Sequence, residues 1–198
     1  MKKRNKKLQQ IIDTGRHLLW KYGFQKVTVE EICKEANVSK MTFYKYFENK
    51  LYLARIILED VMEDGFVKYR HVMDSNMPFT SKIKAFIEIK VEGTNDISRE
   101  FLNDIYAGDV PELTEMIQSY TVKNMQIIRN DFLKFQQEGI IRQDMRIDFL
   151  MYMLNKLIEL AIDENLGKIY NNPQQQIVEI TNFFFYGVLP VEEHKSYR

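Results

Sequence analysis

Apolar residues recur along most of this chain with the spacing of an α-helix. Leu8, Ile12, Gly15, Leu19 and Tyr22 fall at i, i+4, i+7, i+11 and i+14, on one stripe of a first helix. Gly23 follows its last turn, where a glycine ends a helix. Thr28 precedes Val29-Glu30-Glu31, with Glu31 three residues on. That spacing predicts a capping box, in which the hydroxyl accepts from the third amide and the carboxylate accepts from the cap amide. Asn37-Val38 cuts the second helix short. Asn tolerates a left-handed backbone, so Asn37 is placed in a tight turn. Ser39 then caps a brief third helix over about 40–46. A fourth runs over about 49–73, with Leu53, Ile57, Val61 and Gly65 along one side. Asp74-Ser75-Asn76-Met77-Pro78 is a loop, and Thr80 or Ser81 caps the next helix. Further helical segments are expected over about 80–94, 96–107, 111–138, 144–166 and 173–188. Gly108-Asp109-Val110-Pro111, Gly139, Gly167 and Asn171-Asn172-Pro173 separate them. No segment alternates as a strand does, and there is no repeat or low-complexity tract. The pattern predicts an all-α chain of about nine helices.

Composition narrows the class. At 198 residues and 45% hydrophobic content, the chain is long enough to bury a substantial core. No apolar run reaches the roughly 18 residues of a membrane span. The basic start Met1-Lys2-Lys3-Arg4-Asn5-Lys6-Lys7 is followed by no apolar signal core, so secretion is not expected. The one cysteine, Cys33, cannot form an internal disulfide, which fits a reducing, cytoplasmic location. The 28 basic and 28 acidic side chains cancel overall but not locally. Residues 1–55 hold 13 basic and 5 acidic groups, net +8, and residues 56–198 hold 15 and 23, net −8. A basic head on an acidic body points to a head that meets a polyanion.

Two short helices around a tight turn, in a basic segment, have the layout of a helix-turn-helix. The run from Val27 to Lys50, VTVEEICKEANVSKMTFYKYFENK, resembles the tetracycline-repressor (TetR/AcrR) family of bacterial transcription regulators. The features that carry the likeness are Val38-Ser39-Lys40, the aromatic cluster ending in Tyr44-Lys45-Tyr46-Phe47, and Lys50 opening the fourth helix. Ile11-Ile12-Asp13 and Tyr22-Gly23-Phe24 fit the family's first helix and its exit. The chain departs from the family's habit at Asn37, usually Gly, at Met41, often small, and at Leu51, often Glu.

The resemblance implies residue roles. Val29, Ile32, Ala36, Val38, Phe43 and Phe47 form a small core, with Cys33 among them as a buried apolar group. Thr28, Ser39, Tyr44, Tyr46 and Lys50 contact DNA phosphates, which fixes register without reading sequence. Lys40, Met41, Thr42 and Lys45 face the major groove, where Lys donates to guanine and the Met or Thr methyls meet a thymine methyl. Residues 1–55 are then a helix-turn-helix DNA-binding domain and 56–198 an effector-binding and dimerisation domain.

In the body, Gln137-Glu138-Gly139-Ile140-Ile141-Arg142-Gln143-Asp144 resembles the break before the family's eighth helix. Phe183-Phe184-Phe185-Tyr186-Gly187-Val188-Leu189 resembles the end of its ninth. The family makes its dimer from these two helices. The expected interface residues are Leu150, Leu154, Leu157, Ile158, Ile180, Phe184 and Gly187. They lie on wide apolar stripes that also include Ile147, Met151, Ala161, Ile162, Ile177, Phe183 and Val188. The intervening helices are expected to enclose an effector, with Phe86, Ile89, Phe101, Tyr106, Met116, Tyr120 and Met125 as lining residues and Phe132 and Met153 as further ones. Glu88, Glu92, Glu100, Asp104, Glu115 and Glu159 are carboxylates that such an effector, if cationic, would meet.

Enzyme signatures are absent. There is no glycine-rich phosphate loop, His-Glu-x-x-His or Gly-x-Ser-x-Gly. His17, His71 and His194 are far apart in sequence and lack ligands at metal spacing, so neither a metal nor another cofactor is expected. The leading expectation is a cytoplasmic homodimeric repressor that binds a palindromic DNA operator and is released by a small apolar or amphipathic effector. The alternative is a DNA-binding structural or division-regulating factor that acts through protein contacts.

Overall fold

The structure is a computed structural model that describes residues 5–190. Lys2, Lys3, Arg4 and His194, considered above, lie outside the described residues. Those described form ten α-helices and one π-helical turn, with no strand among them. The helices are α1 (Lys6–Tyr22), α2 (Val29–Glu35), α3 (Lys40–Tyr46), α4 (Lys50–Asp74), α5 (Phe79–Gly93), α6 (Arg99–Leu102), α7 (Pro111–Gln137), α8 (Ile147–Ile162), α9 (Glu164–Gly167) and α10 (Pro173–Gly187). The π-helical turn, Asn103–Ala107, continues α6. No helix among the described residues is long and apolar enough to cross a membrane.

The local signals act as the sequence implies. Thr28 Oγ1 accepts from the Glu31 amide at 3.2 Å while the Glu31 carboxylate accepts from the Thr28 amide at 2.7 Å, completing the capping box. Ser39 Oγ accepts from the Thr42 amide at 3.1 Å. Such caps contribute about 1 kcal/mol each. Asn37 adopts φ 50°, the left-handed turn its side chain allows. Asn172 caps α10, with Pro173 at the first helical position.

Two differences raise the helix count above nine. The segment expected over 144–166 begins only at Ile147 and breaks at Asp163, which leaves helical geometry at ψ 119°. Asp163 Oδ1 then accepts from the Leu166 amide at 2.6 Å and starts the four-residue α9. The segment expected over 96–107 starts at the Ser98 cap and changes from α to π pitch after Leu102.

The chain forms two compact units, neither continuous in sequence. One holds the residues up to Gly65 together with Thr94–Gln118; the other holds Phe66–Gly93 and the residues from Ser119 onward. This division of packing is distinct from the division of labour at residue 55 drawn from motif and charge.

The first unit buries Ile11, Leu19, Ile32, Phe43, Phe47, Leu53 and Phe101 in one core. Burying each such side chain contributes about 1.5–3 kcal/mol relative to exposure. Gly15 sets how closely α1 meets α4: a Cβ there would lie 2.9 Å from Leu53 Cδ2 and 3.1 Å from Ile57 Cδ1. The second unit buries Tyr69, Ile83, Phe132, Phe135, Leu150, Phe184 and Phe185. Phe132 and Phe185 stand 6.4 Å apart, centre to centre, and Phe86 lies 4.9 Å from Phe185.

Candidate nucleic-acid interface

The small core expected beneath the helix-turn-helix is present. Ile32, Cys33, Ala36, Phe43 and Phe47 are buried, and Val29 and Val38 pack partly buried against them. Burial also pushes the Cys33 thiol up, away from the reactive thiolate. Phe43, on α3, and Phe47, at its C-cap, point inward, while Tyr44 and Lys45 between them turn out. Met41 is 84% exposed, and Tyr44 and Lys45 are exposed beside it at i+3 and i+4. Tyr44 rests edge-on against Phe43, ring centres 5.4 Å apart. The aromatic cluster thus holds the helix from below and presents a rigid outer face.

The other candidates are more tightly engaged. Lys40 is exposed but paired with Glu30, which holds its ammonium above and the Glu30 carboxyl below their usual ranges. Thr42 is half-buried, with its hydroxyl 3.0 Å from Ser39 Oγ. The Thr28 hydroxyl donates to Glu31 at 2.8 Å. Tyr46 is half-buried against the core.

Lys50 is the clearest departure from expectation. Its ammonium does not stand free for a phosphate. It donates to the carbonyls of Phe24 and Val27, both at 2.6 Å, and lies 4.2 Å from the centre of the Phe24 ring. Burial lowers its pKa, and the charges of Asp104 and Glu31 oppose that shift. Two of its three donors therefore tie down the loop between α1 and α2.

That loop has a second anchor with no counterpart in the sequence reading. Asp104, on the π-helical turn, is buried and accepts from the Phe24 amide at 2.5 Å. Glu100 pairs with Lys26 at 2.9 Å, the Ser98 amide donates to the Trp20 carbonyl at 2.8 Å, and Phe101 lies 4.3 Å from the Trp20 ring. Gly23, at φ 87°, lets the loop pass close: a Cβ there would lie 2.9 Å from Asp104 Oδ2. Asp104, Glu100 and Phe101, expected above to meet an effector, contact Phe24, Lys26 and Trp20 of the first unit. Nothing in the local pattern marks Asp104 and Phe24, 80 residues apart, as partners.

The remaining effector candidates are distributed between the units. Tyr106 and Met116 pack partly buried on the first core. Burial pushes the Tyr106 hydroxyl up. Phe86, Phe132 and Met153 belong to the second core, and Ile89, Tyr120 and Met125 are half-buried. Glu92 pairs with Lys68 at 3.6 Å and Glu159 with Lys156 at 2.6 Å, while Glu88 and Glu115 are exposed.

Two of the dimer candidates lie inside the chain's own core. Leu150 and Phe184 are buried within their own chain, because they point into the second core. Leu154 and Leu157 pack partly on that core, Ile158 and Ile180 are half-buried, and Gly187 is exposed. The large apolar side chains left uncovered on α8 and α10 are Phe149, Tyr152, Leu160, Phe183 and Tyr186, with Phe183 at 81% exposure. Of these only Phe183 lay on the stripes read from sequence.

Comparison with known proteins agrees with this geometry. Residues 11–55 match the family described as bacterial regulatory proteins, tetR family. An uncharacterized HTH-type transcriptional regulator of Bacillus subtilis (strain 168), YerO, is 27% identical over 143 residues, covering 70% of this chain and 50% of YerO. The chain therefore matches about half the length of that relative. Among solved structures, the fatty acid degradation regulator FadR of Bacillus halodurans superposes with a TM-score of 0.69 at 18% identity, covering 94% of this chain and 98% of its own. A regulator from Saccharomonospora viridis in complex with choline gives 0.71 at 17% identity, covering 92% and 97%. At such identities these likenesses establish the fold. Residues 11–55 thus carry the motif of the tetR family of bacterial regulatory proteins, and the body shares the all-helical fold of these solved regulators.

Proposed function

We propose that this regulator is a cytoplasmic repressor that binds a palindromic operator as a homodimer and is released by a small effector. Residues 1–55 bind DNA, and residues 56–198 hold the effector and the second subunit. The observation that carries the reading is the outer face of α3, where Met41, Tyr44 and Lys45 project from a helix whose other side is locked by Phe43 and Phe47. Lys45 and Met41 reach base edges, joined by Lys40 once it leaves Glu30 and by Thr42 at the margin. The hydroxyls of Thr28, Ser39, Tyr44 and Tyr46 meet phosphates. Lys50 positions the loop on which the head depends.

The uncovered apolar face of α8 and α10 supports a second subunit. A twofold pair sets two α3 helices about one DNA turn apart, in successive major grooves. An effector that prefers another separation draws the population away from DNA. The choline-bound neighbour supports a small-molecule role for the body.

The test is a gel shift of the purified protein on DNA upstream of its own gene and its neighbours. A discrete palindromic footprint supports the reading, and binding that tracks length but not sequence overturns it.

A further inference from the structure

A cleft of about 360 Å³ opens in the second unit, among the end of α4, the turn into α5, the start of α5 and the last turns of α7. None of the residues expected to line an effector cavity borders it. Its ionised side chains differ in how far they are satisfied. Arg70 donates to both oxygens of Asp131, at 3.0 and 2.8 Å, and also pairs with Asp74. The Tyr69 hydroxyl gives Asp131 a further bond at 2.8 Å. Both carboxylates are thereby hydrogen-bonded, and the trio of Arg70, Asp74 and Asp131 carries a net charge of −1. Lys134, on α7, and Glu138, just past its end, are both exposed and four residues apart, and their opposite charges offset each other in water.

Lys82 is different. It is only 6% exposed, yet among the described residues its one hydrogen-bond acceptor is neutral, the Met73 carbonyl at 2.5 Å. Its ammonium also lies 5.5 Å from the centre of the Phe135 ring. The carbonyl in the last turn of α4 and the ring face offset part of the cost of burying a cation. A full offset needs an anion. An ammonium has three donors, so two remain, and the cleft is the space that Lys82 borders. On the same walls Phe79 and Phe135 stand 5.0 Å apart, with Ile140 beside them. A cation that pairs with no carboxylate among the described residues, set against an apolar wall in a volume at the small end of ligand sites, defines a ligand class.

We propose that this cleft binds a small amphipathic carboxylate, whose acid group takes the Lys82 ammonium and whose apolar part lies on Phe79, Phe135 and Ile140. The site is separate from the effector residues considered above and does not depend on them.

The test uses the full-length protein with carbon-13 methionine methyls, since Met73 and Met77 border the cleft. Benzoate and hexanoate are titrated in, with benzyl alcohol and hexan-1-ol as neutral counterparts. Both Met73 and Met77 signals should move saturably with the acids, and the alcohols should bind about tenfold more weakly or not at all. Lys82→Gln keeps a donor for the Met73 carbonyl but removes the charge, so it should weaken the acids by about tenfold or more. Glu138→Gln should leave them unchanged. If Lys82→Gln does not fold, the acid-over-alcohol preference of the unaltered protein decides. Acids that leave both signals unmoved, alcohols that bind equally well, or a folded Lys82→Gln with undiminished affinity would each overturn the proposal.

Discussion

Lys50 holds Phe24 in two ways, donating to its carbonyl at 2.6 Å and standing 4.2 Å over its ring. The same ammonium reaches Val27, so one cation closes the loop between α1 and α2. Lys50→Met keeps the length of the side chain but strands two carbonyls. The expected cost is about 1.5–3 kcal/mol, from hydrogen bonds to a charged group. For a chain of this size that is a fall in Tm of roughly 3–12 °C. A phosphate-binding lysine would behave differently: its loss would leave Tm alone and make the dependence of DNA affinity on salt shallower. Thermal unfolding together with salt titrations separates the two roles. An unchanged Tm with a shallower salt dependence would return Lys50 to the phosphate role.

Asp104 grips the same loop from the other side. Burial raises its pKa despite the bonds from the Phe24 and Gln25 amides that favour the charged form. A carboxyl whose folded pKa is raised binds its proton more tightly folded than unfolded. Its contribution is therefore full below the ordinary Asp range and is lost as pH rises through the raised value. Asp104→Asn keeps an acceptor for the Phe24 amide and cannot ionise, so this component should vanish from stability measured between pH 3 and pH 8. Asp104→Ala removes the acceptor as well and should cost about 1–3 kcal/mol at neutral pH. Urea unfolding across that range checks both; an Asp104→Asn curve parallel to the parent would refute the assignment.

What the sequence revealed follows from distance along the chain. The Thr28–Glu31 box, the Ser39 cap, the Asn37 turn and the Gly23 exit each depend on residues within a few positions, and all are present. The loop's anchors, Lys50 and Asp104, act across 26 and 80 residues, where no periodicity reports. Which side of α8 faces inward was hidden for another reason. Helix α8 carries Leu150, Leu154 and Leu157 toward its own core and Phe149, Tyr152 and Leu160 away from it. A helix apolar on most sides has no polar face to say which way it turns.

Phe183 and Phe184 turn that ambiguity into a measurement. Phe183 is 81% exposed and Phe184 6% exposed, although they are adjacent. Phe183→Glu places charge where only a second subunit would bury it, so sedimentation should report a folded monomer with its helical signal intact. Phe184→Glu puts the charge inside the core and should unfold the second unit, since large-to-small loss of a buried Phe alone costs about 3–5 kcal/mol. A Phe183→Glu protein that sediments as an unchanged dimer would exclude this face from the interface.

Met41 and Lys45 divide reading from attraction on the outer face of α3. Met41 is uncharged and projects farthest, so it releases no counterions and interacts only through contact. Met41→Ala should leave the salt dependence of DNA affinity unchanged. If its methyl meets a thymine methyl, the loss should relax preference at one base pair in each half-site, within the range of about 1–3 kcal/mol typical of a single base position. Lys45 is exposed and cationic, and its pairing is not fixed by the fold as that of Lys40 is by Glu30. Lys45→Ala should make the slope of log affinity against log salt shallower by about 1 per subunit, hence about 2 per dimer. The Lys40–Glu30 pair adds a control. Glu30→Gln frees the Lys40 ammonium without touching DNA-facing groups, so it should strengthen binding at low salt by removing both a competitor for Lys40 and a negative charge near the phosphates. Affinity measured over a salt series, on the operator and on singly substituted operators, checks all three variants. A Met41→Ala that weakened every sequence equally, beside a Glu30→Gln that weakened binding, would mean that α3 does not lie in the groove on this face.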